Sequence, residues 1–136
     1  MNSIVIKGLV KQEIPVLKNG EVQKIEVGFF FGTLTFKLIK SNFNLDLKDI
    51  DEKVKLISTD PLEGLDFVVN FLFTAHESWQ RLNQSKPLID KDQLWLTMEL
   101  MGPEEFAKIL EEGLNDYIQD QEEEQDKKKV VKNTSK

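Results

Sequence analysis

One histidine, one arginine and no cysteine limit the chemistry open to this chain. The histidine, His76, is flanked at helical spacing by Leu72, Phe73, Trp79 and Gln80. A general base needs a partner to accept from, and a nucleophile needs an activating neighbour. The residues around His76 supply neither, so a packed core histidine fits better than a catalytic one. A zinc site with one His and no Cys would need carboxylates for most of its ligands. The densest oxygen cluster is Asn42, Asn44, Asp46, Asp49, Asp51 and Glu52. Read as a calcium loop starting at Asn42, it has Leu47 where the sharp turn needs Gly and Lys53 where the bidentate Glu belongs. Helix capping and solvation account for these residues. Gly28 and Gly32 frame Phe29, Phe30 and Phe31, a strand end entering a core, and no glycine-rich phosphate loop is present. The expectation is a non-catalytic chain with no metal and no cofactor. A rival enzyme would have to use carboxylates and lysines alone.

Charge narrows the partners. The chain has 136 residues, 18 basic against 24 acidic, and a net charge of −6. Phosphate-driven nucleic-acid binding needs clustered Lys and Arg on an excess of positive charge. With Arg81 as the sole arginine, bidentate readout of phosphate or base is nearly excluded. The longest apolar run is far short of the roughly 18 residues of a spanning helix. Met1–Gln12 lacks the apolar core of a signal peptide. These features, with the lack of Cys, suggest a cytoplasmic protein that binds neither nucleic acid nor membrane.

The elements follow from local signals. Met1–Val27 reads as β structure, with Ile4 and Ile6 on one face and Val5 on the other. Asn19-Gly20 supplies the positive φ angles of a type I′ hairpin turn. Pro15 cannot donate to a ladder and marks an edge strand. From about Gly32 to Ser41 the spacing of Leu34, Leu38 and Ile39 suits a helix, although Thr33, Thr35 and Phe36 leave a continued strand open. A second helix runs from about Asp46 to Ile57. Asp60-Pro61 opens a long third helix ending near Asn83. Asp90 and Gln93 form a capping box for a helix ending near Met101. Gly102-Pro103 stops it and starts the last helix, with Phe106, Ile109, Leu110, Leu114 and Tyr117 on one face. From Gln119, five acids (Asp120 to Asp126) precede five lysines (Lys127 to Lys136), and the blocks cancel. This segment reads as a frayed helix end and then disorder. The fold expected is α+β and predominantly helical. A hairpin region over residues 1–27 leads to a small helical bundle over 32–118, and residues 119–136 form a charged tail.

The third helix carries the strongest hint of function. Leu62, Leu65, Val68, Val69, Phe71, Leu72, Phe73, Ala75, His76, Trp79 and Leu82 fill an arc of roughly 200°. A helix packed on one core needs only about 100°. Either this helix is buried centrally, or part of the arc waits for a partner. Phe67 falls outside the arc, among Glu63, Asn70, Thr74 and Ser78, and is expected to be exposed. The fourth helix is apolar nearly all round through Leu94, Trp95, Leu96, Met98, Leu100 and Met101. Phe67, Phe71, Trp79, Trp95 and Leu96 are therefore the candidate partner-binding residues.

The order of elements resembles a known family. Phe29–Leu34 gives a F-x-F-G-x-L-like segment entering a helix. Asp60-Pro61-Leu62 with Leu65 gives a D-P-L-x-x-L helix, and a capped helix pair over Ile89–Tyr117 is joined near Gly102-Pro103. Together they look like the tail assembly chaperones of long-tailed phages and prophages, over most of residues 20–118. The resemblance implies a mainly helical, non-catalytic protein. It would coat the tape-measure protein until tail-tube subunits replace it, and would self-associate while doing so. The alternative is a small bacterial or viral adaptor that oligomerises through the same surface without a chaperone role.

Overall fold

The computed structural model describes the backbone of residues 6–134, and the side chains of that stretch apart from Leu47 and those beyond Ile118. Ile4 and Val5, expected in β structure, lie outside the described residues. Two strands and five helices follow in order: β1 (Leu9–Lys18), β2 (Glu21–Phe30), α1 (Thr33–Phe43), α2 (Leu47–Thr59), α3 (Pro61–Leu82), α4 (Lys91–Met101) and α5 (Pro103–Thr134). The fold is α+β and mainly helical, with the hairpin first. No described helix is long and apolar enough to cross a membrane.

The hairpin turns at Asn19 (φ 52°) and Gly20 (φ 80°), as the positive-φ requirement of a two-residue turn demands. β1 and β2 pair antiparallel from Lys18↔Glu21 at the turn to Leu9↔Phe30 at the far end. One face of the ribbon, through Ile14, Val16, Val27 and Phe29, is wholly buried. Its two edges are closed by side chains. The hydroxyl of Thr97 on α4 donates to the Pro15 carbonyl at 2.8 Å. Pro15 has no N–H to leave unpaired on that edge. On the β2 edge, His76 bonds the Gly28 carbonyl and the Thr35 hydroxyl bonds the Phe30 carbonyl.

Caps set the helix starts. The Asp49 carboxylate accepts from the Asp46 N–H at 2.9 Å to open α2. Asp60 accepts from the Glu63 N–H at 3.4 Å at the head of α3. Asp90 and Gln93 exchange bonds of 2.8 and 3.0 Å before α4. Gly102, at φ 95°, ends α4, and Pro103 begins α5. The α5 backbone is helical to Thr134, past Gln119 where the sequence suggested fraying.

α3 is the centre of the molecule, which accounts for most of its wide apolar arc, although Leu62 and Leu82 at its ends are exposed. The ribbon and the other helices pack around it, and it buries residues on every side: Val68, Val69, Phe71, Leu72 and Ala75, but also Thr74, Ser78 and Gln80. Gln80 donates to the Lys86 carbonyl at 2.7 Å, and the two hydroxyl residues can be buried because they satisfy themselves against the preceding turn. Thr74 donates to the Asn70 carbonyl at 2.9 Å and Ser78 to the Thr74 carbonyl at 2.8 Å.

Candidate functional site

The titratable candidates are occupied with structural work. His76 is fully buried and uses both ring nitrogens. Nδ1 lies 2.9 Å from the Gly28 carbonyl, so it must carry the proton and donate. Nε2 accepts from the Leu88 N–H at 2.9 Å. Burial pushes its pKa below the ordinary 6.5, against the smaller upward pull of the Gly28 carbonyl. The ring clamps β2 and the α3–α4 loop to α3, with the edge of Phe29 against it at 6.1 Å. On α2, Asp46 and Asp49 are spent at the helix start. Lys40, 2.8 Å from Asp46, holds that carboxyl below its usual range through a hydrogen bond and its charge. Asp51 pairs with Lys55 at 3.1 Å. Among the described residues, no three of His, Cys, Asp and Glu are grouped to hold a metal. Among the described residues, no buried side-chain polar atom lacks a partner.

The five candidate contact residues do not form one patch. Phe71 is fully buried, stacked at 6.0 Å on Phe31. Phe67 corrects the sequence reading: it is 9 % exposed, packed edge to face on Phe71 at 5.8 Å. Thr74 and Ser78 beside it are buried and bond within α3, and Ile39 and Phe43 of α1 border the same cavity as Phe67. Trp79 is half-buried and lies flat enough on the strand that a Cβ at Gly28 would sit 2.5 Å from its ring. Trp95 and Leu96 are half-buried on α4. Trp79 lies about 25 Å along α3 from Leu62, where Trp95 packs, at 1.5 Å per residue.

A groove on the first half of α3 is the feature with room for a partner. One cavity of about 230 Å³ lies among Ile39, Phe43, Leu45, Lys53, Glu63, Asp66, Phe67, Asn70 and Phe71. A second, of about 540 Å³, is lined by Asp60, Leu62, Glu63, Asp66 and Trp95. Glu63 and Asp66 border both, so the two join along α3. The end of α1 and the start of α2 make one wall, and Trp95 of α4 stands on the other. Lys91 of α4 closes the far end, with its ammonium 5.9 Å from the centre of the Phe43 ring and 5.7 Å from that of Phe73. Leu62, at the open end, is 74 % exposed. Lys53 reaches Glu63 at 3.4 Å. The groove is thus apolar along its walls, anionic at the Asp60–Asp66 end and cationic at the Lys91 end. Leu62 to Phe73 spans about 17 Å, room for three helical turns.

Of the residues marked from sequence, Trp95, Phe67 and Phe71 line this groove, the two phenylalanines in its floor. Leu62, Phe43 and Asp66 were missed as site residues. Leu62 was placed within the apolar arc of α3, where nothing distinguishes an exposed leucine from a core one. No family model, no curated protein and no solved structure matches the chain.

Proposed function

We propose that this chain is a non-catalytic tail assembly chaperone that holds a helical segment of a tape-measure protein in the α3 groove. The observation that carries the reading is the groove itself. It combines an exposed Leu62 and a half-buried Trp95 with apolar walls, the architecture of helix-in-groove recognition. The order of elements that resembles the chaperone family supplies the client. The acidic surface helps to keep an assembly of chaperone and apolar client dispersed.

Where a gene for a very long helical protein lies beside this one, co-expression with its product tests this. The client should stay soluble and co-elute with the chain, and Leu62→Glu should abolish co-elution without lowering the melting temperature. A client that is equally insoluble with and without the chain sinks the chaperone reading and leaves the adaptor reading in its place.

A further inference from the structure

We infer that the groove also takes the C-terminal segment of a second copy of this chain, Asp120–Lys132, so that copies join tail to groove. The argument rests on the groove and the sequence of that segment. It holds whether or not the client is a tape-measure protein.

The charge order matches. Asp120, Glu122, Glu123, Glu124 and Asp126 come first, and Lys127, Lys128, Lys129 and Lys132 follow, with Val130 and Val131 among the lysines. Charges in and beside the groove are ordered in the complementary sense: Lys91 stands by Phe43 and Phe73 at one end, and Asp60, Glu63 and Asp66, with Lys53 paired to Glu63, line the other. The lengths match as well. Asp120 to Lys132 spans about 18 Å as a helix, against about 17 Å from Leu62 to Phe73. The charge order fixes the direction. The incoming segment runs antiparallel to α3, with its acids by Lys91 and its lysines by Asp60 and Asp66. Val130 and Val131 then fall near Leu62 and Trp95, the most exposed apolar part of the groove.

The occupant has to come from another copy. α5 leaves the body beside α2, where Leu114 and Ile118 face Ile50 and Val54. Its backbone then continues as one helix to Thr134. A continuous helix carries Lys127–Lys132 about 14 to 21 Å beyond Ile118. It cannot turn back into its own groove. A tail on one copy and a groove on the next make a heterologous contact, which extends to a ring or an open chain of copies. The tail would be the resting occupant, displaced when a client helix binds.

Sedimentation of the full chain tests the inference. In 50 mM salt the mean mass should rise with concentration past that of two chains, from the 15.7 kDa of one. In 0.5 M salt it should fall back, because exposed charges are screened. Two full-length variants separate the halves of the contact: the triple Lys127→Gln, Lys128→Gln, Lys129→Gln, and Asp66→Lys. Each alone should sediment as a monomer with an unchanged circular dichroism spectrum. Mixed one to one they should form a two-chain complex and nothing larger, because one retains a working groove and the other a working tail. A wild-type chain that is monomeric at every concentration overturns the inference. So does association that survives the triple substitution, or a mixture of the two variants that stays monomeric.

Discussion

Replacing His76 by Leu should cost stability in a way that depends on pH. The ring donates to the Gly28 carbonyl and accepts from the Leu88 N–H, both at 2.9 Å. Leucine fills much of the volume but leaves both backbone groups unpaired. An unsatisfied buried group costs about 1–3 kcal/mol. The Leu88 amide lies in a surface loop where water can reach it, so it belongs at the low end. Together they give a loss of about 3 kcal/mol, a large part of the roughly 5–15 kcal/mol that holds a domain folded. The second effect comes from titration. The folded pKa lies below 6.5 because burial disfavours the imidazolium. Above pH 6.5 the ring is neutral in both states and its contribution is complete. Below 6.5 the unfolded chain binds a proton that the folded chain refuses, so stability falls as pH falls, by at most about 1.4 kcal/mol per pH unit. The fall stops when pH reaches the depressed folded pKa. Urea unfolding of both proteins at pH 7.5, 6.0 and 5.0 measures this. The carboxylates are common to both chains and largely cancel in the difference. The wild-type advantage should shrink from pH 7.5 to 5.0. A constant difference, or a His76→Leu variant as stable as wild type at pH 7.5, would refute the clamp.

Two further substitutions probe the packing of α3. A Cβ at Gly64 would sit 2.6 Å from the Ile57 amide nitrogen and 2.8 Å from its Cα. Gly64→Ala should therefore lower stability by about 1–3 kcal/mol through overpacking, although alanine favours helix by about 1 kcal/mol; an unchanged or raised melting temperature contradicts the close approach of α2. Phe67→Glu would bury a carboxylate against Phe71, so thermal melting followed by circular dichroism should show the folded transition lost or shifted far down. A variant that melts like wild type would place Phe67 back at the surface.

Local chemistry made most of the fold legible. Asn19-Gly20, the Asp90–Gln93 box and Gly102-Pro103 each act within a few residues, so their effect is written in the sequence around them. The burial of α3 was only half legible. Its apolar arc announced an unusual helix, but arc width alone cannot distinguish neighbours in the same chain from a partner. Phe67 was misplaced because Asn70, Thr74 and Ser78 look like a solvent face. They are polar groups bonded along their own helix; Thr74 and Ser78 are buried there, while Asn70 is only partly covered. The groove was the least legible feature, since it depends on how far α1 and α4 stand apart across α3. The helical backbone beyond Gln119 has a local rationale: Glu123–Lys127 and Glu124–Lys128 have the i,i+4 order that supports a helix.

The closed edges of the hairpin bear on how the chain emerges from the ribosome. β1 and β2 pair across a two-residue turn and are the first elements made. The hydroxyl that covers the β1 edge belongs to Thr97, 82 residues after Pro15, and the imidazole on the β2 edge lies 48 residues after Gly28. At about 5–20 residues per second, the interval between synthesis of Phe30 and of Thr97 is roughly 3–13 s. For that time the nascent ribbon lacks the Thr97 hydroxyl, and for about the first two thirds of it the His76 imidazole as well, and a bare edge is a template for pairing with other nascent chains. Pro15 interrupts that template from the moment it is made, on the edge that waits longest for its cover.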